Sequence, residues 1–198
     1  MGRRASAGGR PHPSPAEARS RRADEAARRI ADDPDEEARA ICLRLLTMRA
    51  RTRAELSDAL TSRQVPDEVA ARVLDRLRWV ALIDDVAFAA SFTTAVHSSR
   101  GLAANEIKRQ LRAKGVDDDL AKTAVIAIDA DRERETAAKL VQRKAKSMGK
   151  LEPNVKTRRL VGMLARKGYS PGVAYQVVRE VLGELSAEVP SDDTARLA

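Results

Sequence analysis

The chain has little of what catalysis, secretion or membrane insertion requires. Of 198 residues two are histidine and one is cysteine, and aromatic residues make up only 3%. A lone cysteine excludes an intramolecular disulfide and fits a reducing compartment. Cys42 stands among apolar residues at helical spacing, so it reads as a small buried hydrophobe and not as a reactive thiol. His12 and His97 have no cysteine or carboxylate partner at metal-ligand spacing. A Walker loop, a dinucleotide-binding glycine fingerprint and a nucleophile elbow are all missing. The one conspicuous carboxylate pair, Asp84-Asp85, precedes an apolar-periodic segment and reads as a helix cap. The sequence therefore offers no catalytic residue, no cofactor site and no metal site, and enzyme chemistry is not expected. No apolar run approaches the roughly 18 residues of a membrane span, and no signal-peptide core is present, so the expectation is a cytoplasmic protein without membrane association.

What is present is aliphatic and basic. Hydrophobic residues make up 43% of the chain, enough for a folded protein, and with so few aromatics the core must be Leu, Val, Ile and Ala, which favours helices over sheets. Trp79, Phe88, Phe92 and Tyr169 read as core positions, and with so few aromatics a platform for stacking single-stranded bases is not expected. Lys and Arg total 37 against 29 Asp and Glu, a formal charge of +8, and such an excess points to a polyanionic partner.

One pattern occurs three times. Leu56, Ile107 and Leu160 recur at spacings of 51 and 53 residues, each followed four positions later by a leucine on the same helical face (Leu60, Leu111, Leu164). Each helix then ends in a similar way, at Arg63-Gln64-Val65, Lys114-Gly115-Val116 and Lys167-Gly168-Tyr169. The next helix places apolar residues in register: Val69, Val73 and Leu77, then Leu120, Ala124 and Ile128, then Val173, Val177 and Val181. The expected architecture is all-α, three tandem three-helix repeats of helix-turn-helix-like units in an elongated, curved arrangement. The expected bounds are 33–83, 84–130 and 131–185. A basic extension over 1–32 precedes them, disordered to Pro13 and then weakly helical from the Ser14-Pro15-Ala16-Glu17 capping box. A frayed tail over 186–198 follows.

Within the repeats, helices are expected over about 53–63 and 67–79, then 102–114 and 117–128, then 154–167 and 171–185, with Asp33 and Asp84 capping the first helices of the first two units. A long helix to about Met148 opens the third. The cations at Arg63, Lys114 and Lys167 fall on the last turn of each second helix, where exposed carbonyls attract them. Other cations lie off the apolar face. Lys108, Arg109 and Arg112 flank the Ile107 and Leu111 stripe, Lys156, Arg159 and Arg166 stand away from Leu160 and Leu164, and Arg49, Arg51 and Arg53 bunch at a helix connection. Their recurrence in three units marks them as candidate contacts to a polyanion.

The segment Arg100-Gly101-Leu102-Ala103-Ala104-Asn105-Glu106-Ile107-Lys108-Arg109-Gln110-Leu111-Arg112-Ala113-Lys114-Gly115-Val116, preceded by Leu82-Ile83-Asp84-Asp85 and Phe88-Ala89, resembles the RecX family of RecA regulators. The resemblance spans about 38–185 and includes Leu164-Ala165-Arg166-Lys167-Gly168-Tyr169-Ser170. It implies a monomeric, non-enzymatic regulator that lies on the RecA filament on single-stranded DNA. There it would limit filament extension, ATP hydrolysis and strand exchange, and so modulate recombination, DNA repair and the SOS response. The nine cations would then contact RecA or DNA, the DNA directly or through RecA. Ala81 stands where the family usually has glycine, Gln64 replaces glycine in the first repeat, Phe88 replaces a common tyrosine, and Pro66 takes the place of the caps Asp117 and Ser170. Loss of glycine at 64 and 81 predicts helix ends that close differently. The alternatives are a helical-repeat protein that reads duplex DNA with its third helices, against which argue the second helices, richer in off-core cations than Val69 to Leu77 or Val173 to Val181, and a scaffold for an acidic protein.

Overall fold

The computed structural model describes residues 14–149 and 151–187, which form ten α-helices; no strand occurs among the described residues. The helices are α1 (Pro15–Asp32), α2 (Pro34–Met48), α3 (Arg53–Thr61), α4 (Asp67–Trp79), α5 (Asp85–Arg100), α6 (Ala104–Ala113), α7 (Asp118–Val125), α8 (Ala130–Lys146), α9 (Pro153–Arg166) and α10 (Pro171–Ala187). Leaving α1 aside, they group in threes, so the all-α, three-repeat reading holds. Segments 1–13 and 188–198, read as disordered and frayed, lie outside the described residues; Ser186 and Ala187 close α10 instead of fraying.

Local chemistry explains where the helices start. Ser14 accepts from the Glu17 N–H while the Glu17 carboxylate accepts from the Ser14 N–H, the reciprocal pair that the sequence announces. Asp33, Asp84, Asp117 and Asp129 each accept backbone N–H groups of the following first turn. α7 stops at Val125, three residues short of expectation, because the chain tightens there: Ile126 N–H donates to the Thr123 carbonyl and Ile128 N–H to the Val125 carbonyl before Asp129 opens α8.

The helix ends at Gln64 and Ala81 correct the sequence reading. Both residues adopt the left-handed conformation, at φ 62° and 57°, as Gly115 and Gly168 do at 74° and 90°. Val65 N–H reaches back to the Leu60 carbonyl as Val116 reaches Leu111 and Tyr169 reaches Leu164. Gln64 and Ala81 accept the roughly 1 kcal/mol of left-handed strain instead of avoiding it.

Each repeat carries its own core. In the first, Ile41 and Cys42 of α2, Leu56 and Leu60 of α3, and Val69, Val73, Leu74 and Leu77 of α4 close on one another, with Ile30 of α1 against the edge. Burial pushes the Cys42 thiol up to about 11 against a small opposing pull from Arg63, so this is a packing cysteine. The second core gathers Ala89, Val96, Leu102, Ile107, Leu111, Val116 and Ala121, and the third gathers Val141, Leu160, Leu164, Tyr169, Ala174, Val177 and Val178. Leu56, Leu60, Ile107, Leu111, Leu160 and Leu164, the six residues that define the repeat, are fully enclosed. Truncating any one to Ala costs about 2–5 kcal/mol.

The described chain divides into two compact units, 14–51 with 55–83, and 84–187 with the short segment 52–54. Within the second unit the last two repeats share a polar joint. Ala103 N–H donates to the Lys167 carbonyl (2.9 Å), the Tyr169 hydroxyl to the Gly101 carbonyl (3.2 Å), and Ala104 N–H to Glu133 (2.8 Å). His97 Nδ1 donates to the Leu102 carbonyl at 2.9 Å, and its Nε2 shares a hydrogen bond with the Thr136 hydroxyl at 3.0 Å. A Cβ on Gly168 would fall 2.4 Å from Glu106 Cβ and 2.9 Å from its backbone N, so this glycine is required twice, for its φ and for the close approach. One register earlier, Thr52 Oγ1 donates to the Lys114 carbonyl (2.6 Å) and Ala54 Cβ would sit 2.1 Å from a Cβ on Gly115.

The aromatics depart from expectation at one position. Tyr169 is buried, where desolvation and then Glu133 raise its phenol above the ordinary range. Phe88 and Phe92 are half-buried and stacked, with the Lys114 ammonium 5.9 and 5.6 Å from their ring centres. Trp79 is not a core residue: it is 86% exposed. The core face of α4 runs through Val69, Val73 and Leu77, and a residue two positions beyond Leu77 points some 200° away from that face.

Candidate polyanion-binding site

The nine cations singled out by the sequence meet different fates in the three repeats. In the first, Arg49 binds both carboxylate oxygens of Glu55 at 2.9 and 3.1 Å and also donates to the Ala50 carbonyl, and the hydrogen-bonded carboxylate raises its pKa. Arg51 is half-buried, and its enclosed Nε has no hydrogen-bond partner among the described residues. Arg53 opens α3 half-buried, its backbone N–H donating to Asp85 at 2.9 Å. None of the three stands as an exposed, unpaired cation.

The second repeat neutralises most of its stripe. Arg109 grips Glu106 through Nε and Nη2 at 2.8 and 2.7 Å, and Gln110 donates to the same carboxylate at 2.7 Å. That Arg109 fork, chiefly, holds the Glu106 carboxyl below the usual carboxylate range. Arg112 is bound to Asp118, whose other oxygen takes Lys122 at 2.8 Å. Of the trio only Lys108, half-buried, makes no ion pair among the described residues.

The third repeat differs. Arg159 and Arg166 line a groove of about 570 Å³ between α8 and α9, together with Lys144, Arg158 and Ser147, over a floor of Met148, Leu151, Gly162 and Met163. No carboxylate lines it, and Lys144, Arg158, Arg159 and Arg166 form no ion pair among the described residues. Arg158, Arg159 and Arg166 are all exposed. Lys156, also on α9, is half-buried and lies outside the groove. The remaining cation of this helix end, Lys167, serves the fold. Its ammonium donates to the Arg100 carbonyl instead of its own helix terminus, and burial, then the nearby Arg100 and Arg143, lower its pKa.

Sequence reasoning missed Arg158 and Lys144. For Arg158 a signal existed: 158, 162 and 166 recur at four-residue spacing around a glycine, so Gly162 opens a trough between two arginines on one face of α9. Lys144 carried none, since only the packing of α8 on α9 brings it to the same groove. Four clustered, unpaired, exposed cations over a partly apolar floor suit consecutive phosphates of a flexible strand. No cluster of three or more His, Cys, Asp or Glu side chains suited to a metal occurs among the described residues, and no described helix is long and apolar enough to cross a membrane.

Three family descriptions match the chain in order: the first three-helix domain of RecX over residues 38–77, the second over 84–125 and the third over 131–178. The chain belongs to the RecX family. Regulatory protein RecX of Streptomyces lividans is 51% identical over 152 residues, 77% of this chain and 81% of the relative. That of Thermobifida fusca is 47% identical over 152 residues, 77% and 82% of the two chains. The crystal structure of RecX from Lactobacillus salivarius superposes with a TM-score of 0.68 at 24% identity, covering 76% of this chain and 97% of that one, and so shares the fold. All four groove cations fall within the third RecX domain, and Arg159 occupies the register position held by Glu55 and Glu106 in the first two.

Proposed function

We propose that this RecX-family chain is a regulator that binds the RecA filament on single-stranded DNA in the cytoplasm and inhibits filament extension, ATP hydrolysis and strand exchange, thereby modulating recombination and repair. The observation that carries the reading is the acid-free groove of Lys144, Arg158, Arg159 and Arg166, a surface for nucleic-acid phosphates in a protein whose relatives bear the name of a regulatory protein. Repetition supports it as well. A filament presents the same site at regular intervals, and similar modules joined in one chain engage successive copies with avidity that none has alone.

Recognition of duplex DNA by the third helices is less well supported. Lys122 of α7 is tied to Asp118 and Asp119, α10 carries Arg179 as its only cation, and of the three arginines of α4 Arg72 is bound to Asp35. Co-sedimentation with cognate RecA, with and without single-stranded DNA and a slowly hydrolysed nucleotide, is the test. Binding to the assembled filament with suppressed ATPase is expected; binding to duplex DNA alone, with no effect on RecA, would overturn the reading.

A further inference from the structure

Trp79 is the chain's only tryptophan, and the fold has no use for it. It stands at the last position of α4, 86% exposed, and the turn that follows leaves Val80 and Leu82 exposed by 47% and 50%. That turn is held firmly. Leu82 and Ile83 N–H groups both donate to the Leu77 carbonyl, at 2.9 and 3.3 Å, across the left-handed Ala81, while Ile83 itself is buried in the core. Three large apolar side chains are thus presented on a backbone held in place, and Val80 and Leu82 continue into a groove of about 720 Å³ lined by Leu43, Val73 and Leu77 together with charged residues that include Asp33, Asp35, Glu36 and Arg72. Arg76 and Arg78 share the last turn of α4 with Trp79.

We propose that Trp79, with Val80 and Leu82, is the anchor by which the first repeat seats on a protein surface, its indole entering an apolar pocket bordered by carboxylates that meet Arg76 and Arg78. The inference rests on the filament reading above and assigns the partner's protein component, not its DNA, to this face. Trp and Arg dominate the residues that carry interface energy, and a backbone already held at a helix end loses little freedom on docking. An indole serves equally well to stack a nucleobase, but branched aliphatic neighbours contribute nothing to base stacking and much to an apolar protein contact. The exposed apolar patch that Val80 and Leu82 form with Trp79 favours the protein contact.

The experiment replaces the single tryptophan with 5-hydroxytryptophan, whose red-edge absorption lets it be excited without the tryptophans of RecA. Cognate RecA filaments on single-stranded DNA should shift its emission to the blue, whereas single-stranded DNA alone should leave it unchanged. Trp79→Ala, which removes only an exposed side chain, should keep the thermal midpoint and weaken filament binding by at least about tenfold. A shift produced by DNA alone would overturn the inference in favour of base stacking. Co-sedimentation with unchanged emission, or a Trp79→Ala affinity within twofold of the parent, would overturn it while leaving the regulatory reading in place. Failure of the unsubstituted chain to co-sediment would overturn both.

Discussion

The second helices of the second and third repeats share a backbone pattern and differ in what their cations face. On α6, Glu106 takes Arg109 and Asp118 takes Arg112. On α9 the position of Glu106 is occupied by Arg159, and Arg158 and Arg166 join it beside a groove without acids. The joint between the two repeats makes this difference intelligible. Glu106 lies where the chain packs on Gly168, so its carboxylate is held at a crowded junction and its own helix supplies a counter-ion. Arg159 meets no comparable neighbour among the described residues. Cations on equivalent helices are therefore not equivalent: α6 uses its charge in internal pairing, and α9 presents its charge to solvent.

The sharpest way to break this comparison is to reverse the groove. Replacing Arg158, Arg159 and Arg166 with Glu is expected to weaken filament binding on the order of 100-fold at physiological salt, close to 2.7 kcal/mol, and to flatten its salt dependence by roughly 0.7 for each phosphate no longer neutralised. Exposed substitutions shift stability by only about 0.5 kcal/mol each way, so the thermal midpoint should hardly move. Binding isotherms across a salt series decide it; an unchanged slope would return these arginines to the status of a solvated face.

The joint itself is tested by Gly168→Ala. The methyl group meets the Glu106 backbone and Cβ while the backbone remains left-handed, and a loss of about 2 kcal/mol is expected in denaturant unfolding. At the matching position of the first repeat, Gln64→Gly should act in the opposite sense, gaining up to about 1 kcal/mol by relieving the left-handed glutamine. A neutral Gly168→Ala would mean that the close packing against Glu106 relaxes freely.

Reversing Lys108, Arg109 and Arg112 to Glu should give the mirror image of the groove variant. Filament affinity should fall less than about tenfold, while Glu106 loses its counter-ion, Asp118 keeps only Lys122, and both face new like charges, lowering the urea midpoint of the second repeat. Measured side by side, the two triple variants should separate, one losing binding and the other stability. Equal loss of binding would place the two faces in one contact surface.

How far the sequence reaches depends on what a residue answers to. The enclosed leucines and isoleucine at 56, 60, 107, 111, 160 and 164 answer to helical periodicity alone, and they are legible as a repeat and as a core. Caps are equally plain, because Ser14, Asp84 and Asp117 act on N–H groups two or three residues away. The left-handed turns at Gln64 and Ala81 are misread when a residue preference outweighs the hydrogen-bonding pattern that the neighbouring Val65 and Leu82 complete. Size alone assigns Trp79 inward, although its phase relative to Leu77 already directs it outward. The fate of a cation is only partly legible. Whether Arg109 is paired with Glu106 follows from a local three-residue spacing, but whether Lys144 joins Arg159 depends on the packing of separate helices.

The smallest expected effect tests whether charge or shape holds Arg109 to α6. Glu106 has its carboxyl pKa lowered, first by the Arg109 hydrogen bonds, with Gln110 assisting and burial opposing. An unfolded glutamate titrates near 4.3, so around pH 4 the unfolded chain binds more protons at this site than the folded one, and stability rises with pH there. The contribution is complete above the unfolded value and disappears as pH falls through the lower, folded one. Glu106→Gln keeps the side chain's length and an oxygen for Arg109 but removes the charge. Arg109 is 70% exposed while Glu106 is 16% exposed, so solvent screens the pair from one side and the difference at pH 7 should be small. Urea midpoints of parent and variant should therefore differ slightly at pH 7 and converge below about pH 4. A difference that persisted unchanged into acid would show that the contact is steric, and the contrast with Arg159 would then be one of packing and not of charge.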